Sequence, residues 1–347
     1  MTFTTNLADA LTAYVSNSTF SSLFILTDEN VYKNCFTATS LQKLVDTKNV
    51  FILPQGENTK NIDTCIFIWN ELNRLGADRK SLIINLGGGM ITDLGGFIAS
   101  TYKRGIRFIN IPTSMLAMID ASVGGKNGIN LGHYKNQIGT ITQPGEVFVY
   151  PLFLETLDRR NYLSGFAEAL KHGFLEGREL LETAYTFAQM EINKPFIAFL
   201  KRNIEVKERI VAKDPLEKGD RKALNLGHTV GHAIEALSHE KNTPLLHGEA
   251  VAWGLAAELY ISHLTYNFDE ATAKNFETFV QNYFVKPDLA YTDIDKLMDY
   301  MQQDKKNEHG KINFTLLNDI GNFKTDCVVE KEIIIESIKK IIALCQQ

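Results

Sequence analysis

The sequence predicts an α/β N-terminal domain built on a mostly parallel sheet, followed by a mainly α-helical C-terminal domain. Over the first half of the chain, short apolar runs alternate with helical patterns, as they do in parallel sheets covered on both faces. Beyond about residue 160, apolar residues recur at helical spacing and strand-like runs become rare. We therefore predict two domains in this chain of 347 residues, 1–160 and 161–347.

Four apolar runs in the first half are predicted to be strands. Three of them stop at Asp28, Pro54 and Pro112, and the fourth runs directly into three glycines. The predicted strands cover residues 22–27, 50–53, 82–86 and 108–111. Helices are predicted over residues 62–75 and 90–100 in the first domain, and over residues 165–174, 195–212, 228–237 and 248–264 in the second.

The overall composition excludes several classes of protein. A net charge of -5 argues against a nucleic-acid-binding protein, which needs a concentrated basic face, but it allows a local cation cluster for an anionic substrate. No run of about 18 apolar residues could span a membrane, and the N-terminus lacks the pattern of a secretory signal. The four cysteines show no metal-binding or redox spacing, so we expect reduced thiols in a cytoplasmic protein.

Gly87, Gly88 and Gly89 follow a predicted buried strand and precede a helix with Asp93 in its first turn. Glycines let the backbone approach a pyrophosphate closely, and a helix N-terminus offers N–H groups to it. The pattern is not the G-x-G-x-x-G fingerprint. Taken alone, it is typical of a nucleotide-binding turn and of a tight turn without a ligand in equal measure.

Three of the eight histidines are placed so that they could meet in one site. His228 and His232 are four residues apart and therefore share one face of a helix, and His247 follows at a predicted helix start. A catalytic metal takes nitrogen and carboxylate ligands and keeps one position open. The grouping favours a metal site, with His239 at the surface. A metalloprotease is disfavoured, because Thr229 stands where H-E-x-x-H has glutamate.

Several cations lie beside glycine turns or share a helix face with a polar residue. Lys126 follows two glycines, and Lys171 follows Glu168 by three residues. Grouped cations of this kind can bind the phosphate of a substrate, although each one alone is more typical of a solvated surface. The group comprises Lys126, Lys135, Lys171, Arg221, Lys305 and Lys306.

Taken together, these segments resemble the 3-dehydroquinate synthase family from Asp28 to about Gly321. The chain departs from the family at Asn127, which follows Gly-Gly-Lys where threonine is common. The most specific matching segments are Pro54-Gln55-Gly56-Glu57, Gly87-Gly88-Gly89, Gly124-Gly125-Lys126, Lys135-Asn136, residues 165–171, His228 with His232, Leu246-His247-Gly248-Glu249 and Asp304-Lys305-Lys306.

The resemblance implies a Rossmann-like N-terminal domain that binds NAD and a helical C-terminal domain that binds zinc, for which cobalt could substitute. It implies Glu168, His228 and His247 as the metal ligands. The implied NAD contacts are Asp28, Glu57, Lys60, Gly88, Gly89, Asp93, Thr113, Ser114, Lys126, Lys135 and Thr156. The implied substrate-binding and catalytic residues are Arg104, Asp120, Lys126, Asn136, Lys171, Lys207, Glu217, Arg221, Asn225, His232 and one or both of Lys305 and Lys306.

Three of these residues have implied roles of special interest. Glu217 and His232 would transfer protons. Arg104 would reach the phosphate bound by a neighbouring subunit, which implies a homodimer. The implied activity is that of a lyase of the shikimate pathway of aromatic amino-acid biosynthesis. It converts 3-deoxy-D-arabino-heptulosonate 7-phosphate to 3-dehydroquinate and phosphate, with NAD reduced only transiently.

Three alternatives remain open from the residues alone. A related cyclase could act on sedoheptulose 7-phosphate or glucose 6-phosphate, although Asn225 and the Asp304-Lys305-Lys306 turn favour the heptulosonate. A net dehydrogenase of the glycerol dehydrogenase type would share the triple glycine but lack Gly-Gly-Lys and Asp-Lys-Lys. A non-catalytic NAD-binding module would be expected to have lost some of the ligands and bases that this chain retains.

Overall fold

The computed structural model describes residues 1–36, 41–132, 134–188, 193–303 and 311–347, and they form two compact units, Met1–Asp158 and Arg159–Gln347. The first unit is α/β and the second is mainly helical, which confirms the predicted fold class. The predicted domain boundary at residue 160 stays a prediction.

The first unit is built on a four-stranded parallel sheet with a small hairpin beside it. The strands of this unit are β1 (Thr2–Phe3), β2 (Leu23–Asp28), β3 (Val50–Leu53), β4 (Leu82–Gly87), β5 (Arg107–Pro112), β6 (Lys126–Leu131), β7 (Tyr134–Ile141) and β8 (Phe148–Val149). Its helices are α1 (Leu7–Ser16), α2 (Glu29–Val31), α3 (Ile62–Arg74) and α4 (Gly89–Thr101).

The main sheet has the strand order β3-β2-β4-β5. The chain adds β3 on one side of β2 and then returns to add β4 on the other side, so the order reverses between β2 and β4. In open parallel sheets, ligands bind outside the carboxyl ends of the strands at such a reversal. β2 ends at Asp28 and β4 ends at Gly87, so the triple glycine begins at this point.

The core of the first unit lies between the sheet and helices α3 and α4. Strand β4 is buried along its whole length, as expected for a strand covered on both faces. Phe24, Leu26 and Ile83 from the sheet pack with Ile68 and Leu94 from the two helices. Burial of this apolar surface is the main force that holds the sheet and helices together.

The hairpin formed by β6 and β7 was not predicted from the sequence. The two strands are antiparallel, with Asn127 paired to Thr140 and Ile129 paired to Ile138. Strand β6 is buried only at Asn127, Gly128 and Ile129, and β7 is largely exposed. The apolar signal is therefore too weak to distinguish this hairpin from a loop.

The second unit consists of packed helices and one antiparallel hairpin. Its helices are α5 (Arg159–Glu176), α6 (Arg178–Phe187), α7 (Lys194–Lys213), α8 (His228–Glu240), α9 (His247–Tyr266), α10 (Glu270–Tyr283), α11 (Ile294–Gln303) and α12 (Lys331–Gln346). Its strands are β9 (Asn313–Asp319) and β10 (Asn322–Val328), which the sequence patterns did not indicate because β10 is mostly polar.

Helix α9 is the central helix of the second unit. It is buried on all sides over most of its length, which is typical of a core helix rather than a surface helix. Helices α5, α8, α10 and α12 pack around it. In the described part of the chain, no helix combines the length and the apolar character that crossing a membrane requires.

Candidate functional site

Most of the residues predicted to bind NAD lie at the carboxyl ends of the parallel strands. Asp28 ends β2, Glu57 and Lys60 follow β3, Gly88, Gly89 and Asp93 follow β4, and Thr113 and Ser114 follow β5. Because parallel strands all point the same way, these segments emerge at a single edge of the sheet. The structure thus places residues from four separate segments at the edge where ligands bind in such folds.

A buried lysine connects three of the predicted residues. The Lys60 side chain is 3% exposed, and its Nζ donates to Asp93 Oδ2 at 2.7 Å and to Asn136 Oδ1 at 2.5 Å. Burial alone would lower the pKa of the Lys60 ammonium, but the carboxylates of Asp93 and Glu57 outweigh it and raise this pKa above its ordinary value. Lys60 is therefore a fixed positive charge at the sheet edge.

Asn130 supports this cluster but was not singled out from the sequence. Its side-chain amide donates to Glu57 Oε1 at 2.9 Å, and its Oδ1 accepts from the backbone N–H of Asn136 at 2.9 Å. Its own N–H donates to the carbonyl of Lys60 at 2.8 Å. Asn136 adopts a left-handed backbone conformation with φ of 53°, which this bond helps to stabilise. No local sequence pattern identifies such a residue, because its partners come from distant segments.

Close packing between β4 and α4 requires glycine in and just after the triple glycine. A Cβ on Gly87 would lie 2.6 Å from the Cβ of Ile91, so the first turn of α4 excludes any larger residue there. A Cβ on Gly95, one turn after Ile91, would lie 1.9 Å from the side-chain oxygen of Asn85 on β4. These glycines bring α4 close to the sheet. Gly88 precedes the helix without a side-chain cap, which leaves the helix N-terminus available to an anion.

Asp28 ends β2, and Thr156 contacts the segment that follows it, with its hydroxyl oxygen 3.7 Å from Cys35 Sγ. The Asp28 carboxylate accepts from the N–H of Val31 at 3.0 Å and so caps α2. Burial raises the pKa of the Asp28 carboxyl, against hydrogen bonds from Val31 and Asn30 that lower it. The Thr156 hydroxyl donates to the Phe153 carbonyl at 2.8 Å.

Asn127, where the family often has threonine, holds the Gly-Gly-Lys turn. Its buried amide donates to the carbonyls of Gly125 and Thr142, both at 2.9 Å. This tie fixes the turn before Lys126, whose side chain is exposed on the first residue of β6. The departure from the family pattern therefore preserves a polar side chain with a structural function.

The second unit brings Glu168, His228 and His247 together. Glu168 Oε1 lies 3.5 Å from His228 Nε2 and 3.8 Å from His247 Nε2. Ligand atoms at metal distances of about 2.0–2.1 Å in a tetrahedral site are about 3.3–3.4 Å apart. The observed separations are close to this value. The three residues on three different helices thus fit a zinc-type site.

The protonation of the two rings also fits metal binding. His228 Nδ1 lies 3.1 Å from the carbonyl oxygen of Leu226, and His247 Nδ1 lies 3.1 Å from Glu235 Oε2. A carbonyl or a carboxylate can only accept, so each Nδ1 carries the proton and each Nε2 offers its lone pair. Both Nε2 atoms face the same oxygen of Glu168.

Glu168 is fully buried, and its Oε1 has no hydrogen-bond partner among the described residues. Its charge is offset by an ion pair between Oε2 and Lys171 Nζ, one helical turn further along α5. A buried carboxylate with an oxygen aimed at two imidazole nitrogens is what a metal ligand requires. The shared helix face of Glu168 and Lys171 was predicted from their spacing.

A close contact between two helices places His247. A Cβ on Gly248 would lie 1.7 Å from the carbonyl oxygen of Ser164, so the start of α9 touches α5 one turn before Glu168. The N–H of Gly248 also donates to Ser164 Oγ at 3.1 Å. This contact brings His247, the first residue of α9, within reach of Glu168, and His247 lies at a helix start as predicted.

Glu258 fixes the start of α8 and was missed from the sequence. Helix α8 begins after Gly227, which has no side chain to serve as a cap. Instead, the buried carboxylate of Glu258 accepts from the N–H groups of Gly227 at 2.6 Å, Thr229 at 2.9 Å and Val230 at 3.1 Å. These bonds satisfy the free donors of the helix N-terminus and complement its dipole. They hold the turn that carries His228.

His232 shares the site with the two predicted histidine ligands. The ligand atoms of His228, His232 and His247 all lie within 4.8 Å of one another. The His232 ring centroid is 5.2 Å from that of His228 and 5.8 Å from that of His247. His232 therefore lies beside the proposed metal position, and this arrangement is compatible with a proton-transfer group and with a further ligand.

Asp214 organises a loop that carries several predicted substrate residues. Its carboxylate accepts from the backbone N–H groups of Lys218 at 3.0 Å, Gly219 at 2.6 Å and Arg221 at 3.2 Å. These bonds, that of Lys218 above all, hold the pKa of the Asp214 carboxyl below its usual range. The buried Arg221 guanidinium donates from Nη1 to the Pro215 carbonyl at 2.7 Å.

Asn225 and Glu217 meet at this loop. Asn225 Nδ2 donates to Glu217 Oε1 at 3.1 Å, and Glu217 has a left-handed backbone with φ of 58°. Arg221 and Asn225 belong to a short 3-10 helix, Asp220–Asn225. Lys207 is buried on α7.

The remaining predicted residues lie elsewhere or outside the described residues. Asp120 lies in a π-helical turn, and Lys135 is exposed on β7. Arg104 is exposed and left-handed, with φ of 69°. Lys305 and Lys306 lie outside the described residues.

Comparison with protein families accounts for this arrangement. Residues 50–164 match the family model described as 3-dehydroquinate synthase N-terminal, and residues 165–307 match the one described as 3-dehydroquinate synthase C-terminal. A 3-dehydroquinate synthase of Parabacteroides distasonis is 42% identical over 334 residues, which are 96% of this chain and 95% of that protein.

Solved structures share the fold at lower sequence identity. A 2-epi-5-epi-valiolone synthase from Streptomyces hygroscopicus with NAD+ and Zn2+ bound has a TM-score of 0.85 and 22% identity, over 99% of this chain and 96% of that one. A 2-deoxy-scyllo-inosose synthase complexed with carbaglucose-6-phosphate, NAD+ and Co2+ has a TM-score of 0.83 and 23% identity, over 97% and 95%.

Proposed function

Because this chain belongs to the 3-dehydroquinate synthase family, we propose that it converts 3-deoxy-D-arabino-heptulosonate 7-phosphate to 3-dehydroquinate and phosphate. The observation that carries this proposal is the convergence of Glu168 Oε1 on the Nε2 atoms of His228 and His247, at 3.5 and 3.8 Å. The activity is that of a phosphate-eliminating lyase in the shikimate pathway.

Glu168, His228 and His247 would hold a zinc ion, and cobalt would suit the same nitrogen and oxygen ligands. Two solved relatives of the same fold carry Zn2+ or Co2+, which supports this assignment. When bound, the ion supplies a Lewis acid that favours ionisation of a substrate hydroxyl. Lys171, ion-paired with Glu168, places a positive charge next to the ligand set.

The sheet edge of the first unit would hold NAD, which would supply a hydride acceptor for a reaction with no net consumption of NAD. NAD+ in both solved relatives supports this assignment. The N-terminus of α4 after Gly88 suits the pyrophosphate. Lys60, Asp93 and Glu57 would line the site with fixed charges, and Asn136 is tied to them through Lys60.

The other residues of the second unit would bind the substrate and move protons. His232, beside the two ligand rings, has an imidazole suited to proton transfer near neutral pH. Glu217 is held in place by Asn225 for a similar role. Arg221 offers a planar fork of donors that binds carboxylate or phosphate better than lysine does.

The test is phosphate release from the heptulosonate phosphate by the purified protein, with substoichiometric NAD and added zinc, and with NADH absorbance followed in parallel. We expect many turnovers per NAD, no lasting NADH, and loss of phosphate release when a chelator removes the metal. Lasting NADH would instead identify a dehydrogenase. Phosphate release only from sedoheptulose 7-phosphate or glucose 6-phosphate would identify a different cyclase.

We also propose that the protein is a homodimer in which Arg104 acts on the neighbouring subunit's substrate. Lys103 and Arg104 are both left-handed without being glycine, with φ of 50° and 69°, a strained turn of the kind found at functional sites. The test mixes two inactive variants, Arg104→Ala and His228→Ala. A mixed dimer would contain one intact site only if Arg104 acts across subunits, so mixing should restore activity. Absence of recovery in verified mixed dimers would contradict this role.

The cytoplasmic location expected from the sequence remains a proposal. Fractionation of the producing cell would check it, with the protein expected in the soluble cytoplasmic fraction.

A further inference from the structure

Glu235 is a buried carboxylate that contacts a proposed metal ligand. It lies on α8, seven residues after His228 and three after His232, and therefore on the same face of the helix. Its side chain is 6% exposed, and Oε2 lies 3.1 Å from His247 Nδ1. None of the sequence patterns pointed to it, and the proposed reaction as described above assigns it no role.

The carboxylate of Glu235 is buried, so its charge must be compensated by neighbouring groups. Buried positions of α8 near Glu235 include the apolar side chains of Val230, Ile234 and Leu237. A carboxylate among them loses its hydration and must be compensated by a hydrogen bond and by nearby positive charge. The imidazole N–H of His247 supplies the bond. A divalent cation on the far side of the same ring would supply the charge.

The two histidine ligands differ in what orients them. His228 donates from Nδ1 to the carbonyl of Leu226, two residues away in its own segment. His247 is the first residue of α9, its side chain is 32% exposed, and its Nδ1 acceptor comes from a different helix. The orientation of the His247 ring therefore depends on a residue of another helix, whereas the orientation of the His228 ring depends on its own segment.

We propose that Glu235 is a positioning residue for the metal centre. Its carboxylate keeps the proton of His247 on Nδ1, turns Nε2 towards Glu168 and makes that nitrogen a stronger donor to the metal. The proposal rests on the zinc site proposed above. It adds a second carboxylate that tunes the site without binding the metal.

The experiment measures the zinc affinity of the full-length, metal-free protein by competition with a chromophoric chelator. Glu235→Gln preserves size and an acceptor oxygen but removes the charge. We expect zinc to bind about 10- to 100-fold more weakly than in the wild type, the effect typical of losing such a partner. Absorption of the Co2+-loaded variant should also change, because the geometry around the metal changes.

The matched control is Glu277→Gln. Glu277 is also a buried glutamate of the second unit, and it pairs with Lys340 at 2.6 Å. This variant should retain the zinc affinity of the wild type. An equal loss in both variants would overturn the proposal, because it would show a general effect of removing a buried carboxylate.

The outcomes separate this proposal from the zinc site itself. A wild-type protein that binds no zinc would overturn the metal site and the role of Glu235 together. Tight zinc binding in the wild type and equally tight binding in folded Glu235→Gln would overturn only the role of Glu235. If Glu235→Gln does not fold, Glu235→Asp takes its place, since it preserves the charge but cannot span 3.1 Å from the same backbone position. Unchanged zinc affinity in Glu235→Asp would overturn the proposal.

Discussion

The two units of this chain organise their polar residues in different ways. In the first unit, most of the candidate NAD contacts follow the carboxyl ends of β2, β3, β4 and β5, so the strand just before places each of them. In the second unit, each candidate ligand lies on a different helix. Residues distant in sequence help to place two of them, with Glu235 beside His247 and Glu258 at the start of the helix that carries His228.

This difference has a physical reason. Parallel strands bring their ends to one edge whatever the side chains are, so a site there needs only suitable residues after each strand. A metal centre between helices needs ligand atoms within a few tenths of an ångström, which only a supporting layer of hydrogen bonds can secure. We therefore expect changes in the second unit to couple metal binding and stability more strongly.

The largest expected effect is that of His228→Ala, which removes a ligand. The variant should purify without zinc, and turnover should fall by about 10³-fold or more, because a Lewis acid contributes several kcal/mol to such a reaction. Metal analysis and phosphate release are the measurements. The control is His239→Ala, an exposed histidine on the same helix, which should retain both. Full activity in metal-free His228→Ala would refute the zinc assignment.

The next largest effect is expected in the first unit, for Asp93→Asn. It leaves the buried Lys60 without its nearest carboxylate, at 2.7 Å in the wild type, so the free energy of unfolding should fall by about 3 kcal/mol at neutral pH. Urea denaturation would measure it. Lys60→Met should lose less stability, because no buried cation remains without its partner.

The same pair has a defined pH dependence. The folded-state pKa of Lys60 is raised, so its stabilising contribution is complete below the ordinary value of 10.5 and is lost as the pH rises through the folded-state pKa. The loss in free energy of unfolding caused by Asp93→Asn should thus be constant near neutral pH and become smaller above about pH 10.5. A stability loss that grows with pH in this range would contradict an ion pair between Lys60 and Asp93.

A smaller effect is expected for Glu258→Gln. One oxygen and an NH2 group cannot replace the three acceptor contacts to Gly227, Thr229 and Val230, and at least one buried N–H loses its partner. The free energy of unfolding should fall by about 2 kcal/mol. Asp269→Asn, which changes an exposed cap on α10, should lose clearly less. Equal losses in free energy of unfolding in the two variants would mean that a buried cap stabilises the protein no more than an exposed one.

The smallest effect is expected for Lys126→Ala, because this side chain is exposed on the first residue of β6. Stability should be unchanged, and the KM for the sugar phosphate should rise about tenfold through loss of one charge-assisted contact. Lys80→Ala, another exposed lysine of the first unit, is the control and should leave KM unchanged. An unaltered KM and kcat in Lys126→Ala would remove Lys126 from the substrate site.

The features that the sequence predicted best are those that arise from neighbouring residues. Strand β3 has the predicted bounds, and β4 ends at the first of the three glycines. His228, His232 and His247 were grouped from their spacing alone, and the structure places them within 4.8 Å. The hairpins β6–β7 and β9–β10 were missed, because their exposed strands carry little apolar periodicity.

The sequence by itself determined the alternation of strands and helices, the glycine turn and the histidine spacing, since each depends on local propensity and on side chains one helical turn apart. The assigned roles of the site residues remain predictions. Only the tertiary structure decided which oxygen faces the two imidazoles, which carboxylate caps α8 and which one holds His247. Glu235 and Glu258 look like ordinary helical glutamates in the sequence. Close packing of α5, α8 and α9 brings their carboxylates to partners that lie many residues away, and no local pattern encodes that distance.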